Sequence, residues 1–581
     1  MLLVVATPVL GADWMLPLQG ALSYGIAGAV TVLVAVWAVL MWRAYRMAAA
    51  AQASAAREQR RHGMGTRLFH LGALLFMTAF VFAKWTLLIQ AGDTRELFLG
   101  SSRSYSLAIA VVFAIGLVGR GLRLARFMGT VSDHPARLMA LSFGGVGGLG
   151  ALALSLPISV EEMGRVSLVD NLFTSFSAVC VTGLSVNNVA ATYSTFGEIV
   201  VCALIQTGGL GIMVLSAAIA ALAGQRLRVR SSAVLAEMVD ATSLASLRRT
   251  VVMIILYTLL IEGIGAAVLY REFQAYPDLE RLGGSDLAGP GSMVWAAIFH
   301  AVSAFCNAGI SNVAGGLIPF AGDFGVLLTL MILIVLGSLG FPVLDELLRV
   351  ALVKLRRKRA SVLTLHTRVV LRTTAILLGI MMIAYWVLEW GQSMEPLSYP
   401  ERVVAAAFQS VCRTAGFAVV DTSAMRPATW ALTCAAMFIG ASPGSTGGGV
   451  KTTTIAVLFA GLRAELGMRA PHLLDRTVPQ SVIRKAIGVV FLSMMIVLFA
   501  FFLLLLLEPL PPLELAFEVV SAFSTTGLTT GITPKLSVPG KLLVTILMFI
   551  GRIGPLTLAL ALAAKSQRTL VQLPEERLMI G

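Results

Sequence analysis

One twelve-residue pattern constrains this chain more than any other feature, because it recurs four times at the spacing of small domains. It reads FTSFSAVCVTGL (Phe173–Leu184), FHAVSAFCNAGI (Phe299–Ile310), AAFQSVCRTAGF (Ala406–Phe417) and FEVVSAFSTTGL (Phe517–Leu528). With Gly183, Gly309, Gly416 and Gly527 in register, a serine stands six residues earlier in each copy, at Ser177, Ser303, Ser410 and Ser521. Glycine spacings of 126, 107 and 111 residues mark a fourfold internal repeat, and such a repeat predicts four related structural units. Each copy reads as a short apolar helix ending in a backbone turn that needs glycine.

Four such turns around one axis have a definite chemistry. A cation that sheds water needs oxygen ligands, and rings of backbone carbonyls supply them without placing a full charge in the path. Glycine permits φ > 0, which lets successive carbonyls turn toward the axis. The short helix before each turn aims its partially negative C-terminal end at the same place. Taken singly, each copy is also an ordinary glycine loop between membrane helices. Four copies in register favour the pore.

Composition agrees. Of 581 residues, 57% are hydrophobic and 13% charged, which excludes a soluble enzyme and predicts an all-α polytopic membrane protein. The net charge of +14 does not indicate nucleic acid, because the basic residues sit in connectors between apolar runs, as in cytoplasmic loops. The five cysteines form no CxxC pair and the six histidines show no metal-ligand spacing, so neither disulfides nor a metal centre is expected.

Along the chain, residues 1–132 read as an N-terminal membrane extension of three helices, with apolar runs at 18–41, 67–90 and 104–119. The basic first connector (Arg43 to Arg67) places the N-terminus outside. The opening residues lack the basic flank of a cleaved signal peptide. Arg120, Arg123 and Arg126 have the spacing of a voltage sensor but read as a basic flank of the third run. Four units follow at 133–230, 231–360, 361–475 and 476–581, each a helix, a pore loop and a second helix. Their paired runs are 137–156 and 196–223, 250–270 and 324–353, 369–390 and 428–462, and 484–507 and 539–564. The short Ser/Gly helices between them cannot span a bilayer, so they read as re-entrant. Connectors between units are basic, and those before the glycine turns lean acidic, as with Glu161, Glu162 and Asp170. The pore helices are therefore expected to enter from outside, below a cation-concentrating vestibule.

These motifs, with IQTGGLGIM (Ile205–Met213), GASPGSTGGGVK (Gly440–Lys451), Arg552 in FIGRIGP and the terminal PEERLMIG, resemble the Trk/Ktr/HKT superfamily of cation transporters, most closely its Ktr-type membrane subunit. The resemblance covers residues 133–581 and implies four pseudo-symmetric repeats around one central potassium pathway. It places the filter strips at Val181-Thr182-Gly183-Leu184, Asn307-Ala308-Gly309-Ile310, Thr414-Ala415-Gly416-Phe417 and Thr525-Thr526-Gly527-Leu528. Sodium-passing relatives often carry serine for the first filter glycine, so Gly183 implies potassium, with a sodium-permeable transporter as the alternative. The resemblance also implies a homodimer in membrane lipid, a separate cytoplasmic nucleotide-binding regulatory ring, and K+ at the filter as the transported ion with no cofactor in this chain.

Glycines and Pro443 break the apolar run from Trp430 to Leu462. The resemblance makes this break a gating loop below the filter, involving Gly440, Ser442, Gly444, Ser445, Thr446, Gly447, Gly448, Gly449 and Lys451, with Arg552 as an electrostatic barrier in the pore. A nucleotide-hydrolysing enzyme is the reading from another class, since GSTGGGVKTT looks like a phosphate-binding loop. Val450 between Gly449 and Lys451 breaks that motif, and the segment follows a membrane helix instead of a strand. His300 and Glu518 occupy equivalent places in the second and fourth short helices, where each can tune the filter or, as the favoured reading, support it through a hydrogen bond from behind.

Overall fold

Helix starts in this chain are written in its serines and aspartates. Ser167, Ser194, Asp323 and Ser537 each accept, through the side chain, a backbone amide of the first turn, which satisfies donors that the helix itself leaves orphaned. The computed structural model of the protein describes residues 135–161, 166–211, 244–274, 290–313, 315–355, 363–467 and 470–554, all within one compact unit. The three N-terminal runs, Arg120, Arg123 and Arg126, most of the first basic connector between units, and the terminal PEERLMIG lie outside the described residues.

The described chain is almost wholly helical. Its first stretch holds α1 (Pro135–Leu154), α2 (Leu168–Val179) and α3 (Thr195–Leu210), and its second α4 (Leu244–Gln274), α5 (Pro290–Phe305), α6 (Phe324–Leu339) and α7 (Phe341–Leu355). The third holds α8 (Leu365–Glu389), α9 (Tyr399–Val411), α10 (Pro427–Phe438) and α11 (Thr452–Gly467). A two-residue hairpin, β1 (His472–Leu473) with β2 (Arg476–Thr477), leads to α12 (Gln480–Leu507), α13 (Pro512–Ser524) and α14 (Val538–Ile553). Among the described residues three helices are long and apolar enough to cross a membrane, Val251–Gln274, Leu365–Glu389 and Gln480–Leu507, and α6 with α7 makes a fourth span when the two are taken together. Their outward faces carry large apolar side chains, such as Leu260, Ile376, Phe491 and Phe499. That inverts the surface of a water-soluble protein and suits lipid.

The short helices α2, α5, α9 and α13 bury one side deeply. Phe173, Phe299, Phe408 and Phe517 on them are all fully enclosed. Each packs against the long helix that precedes it, and against a helix of the neighbouring stretch: α3 on α5, α6 on α9, α10 on α13, and α14 back on α2. Glycine makes this approach possible. A Cβ at Gly208, Gly337 or Gly551 would run into the carbonyl oxygen of Val179, Phe305 or Phe523, at the ends of α2, α5 and α13.

One apolar run is bent where the sequence reads it as straight. The run at 324–353 reads as one helix, but α6 and α7 meet at 107°. Gly340 takes φ of 92°, which only glycine adopts without penalty, and Pro342 prevents α6 from continuing. Within the runs at 196–223 and 539–564, α3 and α14 end at Leu210 and Ile553, where Gly211 (φ 74°) and Gly554 (φ 91°) turn left-handed, and the rest of each run lies outside the described residues.

Lys541, near the start of α14, reaches Asp170 in the first turn of α2 at 2.7 Å. Partial burial pushes the Asp170 carboxyl up, but the bonds from Lys541 and Ser167 outweigh it and hold the group below the usual carboxylate range. A depressed carboxyl contributes stability above its unfolded value, about 3.9, and loses it as the pH falls through the lower folded value. Lys541→Met is therefore expected to destabilise the protein by about 1–3 kcal/mol at neutral pH, and by less as the pH falls through the lowered folded value of Asp170. Thermal unfolding in detergent across an acidic pH series checks this, and a loss that does not change with pH would contradict it.

Candidate functional site

Three of the four repeated serines have a local job that follows from their spacing. The backbone amide of Gly183 donates to Ser177 Oγ at 3.1 Å, and that of Gly527 donates to Ser521 Oγ at 3.1 Å. Ser303 Oγ instead donates to the carbonyl of Ile310 at 2.7 Å. Three strips are thus pinned to the last turn of their own short helix. Main-chain bonds repeat in the same three: Thr182 N to Ser177 O, Ala308 N to Ser303 O and Thr526 N to Ser521 O, at 2.7 to 3.0 Å.

These three strips also share a reversal of backbone hand. Val181, Asn307 and Thr525 have φ of 56°, 61° and 49°, and Gly183, Gly309 and Gly527 have φ of 97°, 69° and 92°. Left-handed conformations at three non-glycine residues, two of them the β-branched Val181 and Thr525, store strain that the surrounding packing must hold. The third strip departs. Thr414 closes a 3-10 turn and Ala415 is extended, Gly416 has no positive φ, and Ser410 donates to Leu378 O on α8. Gly416 needs its lack of a side chain for space: a Cβ there would sit 2.9 Å from Gly527 Cα.

The four strips lie against one another in cyclic order. A Cβ on Gly183 would collide with Ala308 O, one on Gly309 with Gly416, and one on Gly527 with Thr182 O and Gly183. Side chains tie neighbours too. Asn307 Nδ2 donates to Thr414 Oγ1 at 3.1 Å, and Thr526 Oγ1 donates to Arg413 O at 3.1 Å. Leu184, Ile310, Phe417 and Leu528 are buried behind the glycines.

The Gly440–Lys451 segment is non-helical, as its composition predicts, and it sits directly against the strips. Its ends pair, Gly440 N to Val450 O at 2.9 Å and Val450 N to Phe438 O at 3.1 Å. Its middle is laid on the α6–α7 bend: Ser442 N donates to Ser338 O, Thr446 N to Gly337 O, and Phe341 N to Gly444 O, at 3.1 to 3.2 Å. The Thr446 hydroxyl reaches Asn307 Oδ1 at 2.9 Å, a Cβ on Gly448 would strike the Thr525 side chain, and one on Gly447 the Ala441 side chain. Ser445 Oγ donates to Ser442 O at 2.5 Å and Gly449 has φ of 73°. Freed backbone groups at this depth are thus met by protein.

Cations hold the same segment from several sides. Arg552 Nη1 donates to Thr446 O while its Nη2 donates to Gly208 O on α3. Lys451 Nζ donates to Gly447 O at 2.7 Å. Among the described residues no carboxylate lies within ion-pair distance of either.

One residue here, Glu262, carries almost no signal in the sequence. Glu262, in the middle of α4 and 5% exposed, accepts from Gln206 Nε2 at 3.0 Å and lies 3.7 Å from Cys306 Sγ. The only hint is a single acid within an apolar run. His300 bridges Ala296 O and Ser311 Oγ and stacks on Phe417, while Glu518 accepts from Thr529 and Thr533. Both brace the loop that follows their strip.

Lipid-facing long helices around buried short helices, whose glycine turns meet above a cation-held break, make this a multi-pass membrane transport protein. The chain belongs to the TrkH family of cation transport proteins, which matches residues 150–572. It is a transporter and not an enzyme. It is 34% identical to the Ktr system potassium uptake protein B of Bacillus subtilis, over 77% of this chain and 97% of that one. The protein of that name from Vibrio alginolyticus is 36% identical over 77% of this chain and 94% of its own. The potassium/sodium uptake protein NtpJ of Enterococcus hirae is 33% identical, over 77% and 97%. The fold is similar to that of the potassium transporter TrkH from Vibrio parahaemolyticus, with a TM-score of 0.57 and 19% identity, covering 74% of this chain and 85% of that one.

Proposed function

We propose that this chain takes up potassium across the cytoplasmic membrane, through a filter formed by its four glycine strips and gated by the Gly440–Lys451 segment. One observation carries the reading: Gly183, Gly309, Gly416 and Gly527 each press on the next strip in cyclic order, with no room for a side chain. Four pseudo-symmetric units at 133–230, 231–360, 361–475 and 476–581 would then surround one path. Carbonyls of the strips replace the water of a bare K+ ion, and the negative ends of α2, α5, α9 and α13 favour its charge. Because the third strip differs from the other three, the ring is uneven, and fewer good ion positions are expected than in a symmetric channel.

The potassium uptake named for the relatives, together with glycine at position 183, supports K+ as the ion. A relative named for both potassium and sodium supports sodium permeation as the second reading. The chain would work as a homodimer, with its N-terminus outside and a separate cytoplasmic nucleotide-binding ring as regulator. It would need no cofactor of its own.

Growth rescue of a bacterium deficient in potassium uptake, at low potassium, tests the reading. Rescue with faster K+ and Rb+ than Na+ flux is expected. Na+ flux without rescue would install the second reading.

A further inference from the structure

Strips one, two and four are fastened to their own short helices by serine, and strip three is not. Resting on the filter and gate roles above, we propose that Arg413 fastens strip three to the gate segment instead, so that ion selectivity follows the position of the gate.

Arg413 lies three residues before Gly416, in the 3-10 turn that begins the strip. It is 2% exposed. Its Nη1 donates to Ile439 O at 2.5 Å and lies 3.5 Å from Gly440 O, where α10 ends and the gate segment begins. On its other side its own carbonyl accepts from Thr526 Oγ1 at 3.1 Å, which brings in strip four. Among the described residues no carboxylate pairs with it. A cation at a helix C-terminus is an ordinary cap. This one differs because its backbone is part of the strip: if Gly440 moves, strip three must follow or the bond must break.

The equivalent positions in the other copies are Cys180, Cys306 and Ser524, none of which can make such a link. Arginine fits because its planar guanidinium reaches two neighbouring carbonyls, whereas lysine is a point charge on a flexible stem. Arg413 is thus a positioning residue that acts on the ion through strip three.

Initial rates of Rb+ and Na+ uptake by the full chain in proteoliposomes test this, for wild type, Arg413→Lys and Arg413→Gln, each with and without Arg552→Ala. Arg413→Gln is expected to lower the Rb+/Na+ ratio about fivefold, with Arg413→Lys between it and wild type. Arg552→Ala should lower the ratio when Arg413 is present and leave it unchanged in the Arg413→Gln background. Equal shifts in both backgrounds would overturn the proposal, as would wild-type ratios in both Arg413 variants. Thermal unfolding of each variant separates a structural role: less folded protein with an unchanged ratio also overturns it. If Arg413→Gln does not fold, the Arg413→Lys pair decides alone. Should the wild type carry no Rb+, the potassium reading itself falls, which is a separate result.

Discussion

Replacing Arg552 by alanine is expected to raise the initial rate of K+ or Rb+ uptake about tenfold or more. The guanidinium joins Thr446 O in the gate segment to Gly208 O at the end of α3, and charged hydrogen bonds are each worth about 1.5–3 kcal/mol. Losing even one such bond shifts an opening equilibrium by roughly tenfold, since about 1.4 kcal/mol is a factor of ten. On the proposed pathway the substitution also removes a positive charge from beside the ion. Arg552→Lys separates the two causes: it keeps the charge but loses the double reach. A low rate in Arg552→Lys would make repulsion the barrier, and a high rate would make the tether the barrier. If Arg552→Ala leaves uptake unchanged, the gate assignment is wrong.

Gly183→Ser should lower the K+/Na+ uptake ratio by about tenfold. At φ of 97° a side chain is strained whatever the space around it, by roughly 1–2 kcal/mol or more, and the new Cβ would meet Ala308 O on the neighbouring strip. The strip must therefore shift, and the carbonyls proposed to replace the water of K+ shift with it. Gly416→Ser is expected to do less, because Gly416 lacks the positive φ and its nearest obstacle is 2.9 Å away. Parallel flux assays on both variants rank them, and wild-type ratios in Gly183→Ser would count against the filter.

What could be read from sequence was whatever broke an apolar background. The glycine turns were legible because they repeat. The Gly440–Gly449 break was legible because glycine and proline cannot sustain a helix there, and Arg552 because a charge in a span is rare. The α6–α7 bend was hidden, since Gly340 and Pro342 within FGVLLTLMILIVLGSLGFPVL interrupt hydropathy only slightly. The odd third strip was hidden for another reason. Ser410 and Gly416 keep the repeated letters, yet their partners, Leu378 O and Gly527, come from α8 and from a strip more than a hundred residues away. Arg413 sits in plain view inside a repeated motif, but only tertiary packing shows which carbonyls it reaches.

The Lys541–Asp170 bond spans 371 residues of chain. A ribosome adding about 5–20 residues per second takes roughly 20–75 seconds to cover that distance. Throughout that time the first short helix is without the helix that will cover it, and Asp170 is without its cation. A nascent chain is thus exposed to quality-control proteases until α14 arrives, and a truncation before Lys541 is expected to leave the start of the chain in that same state.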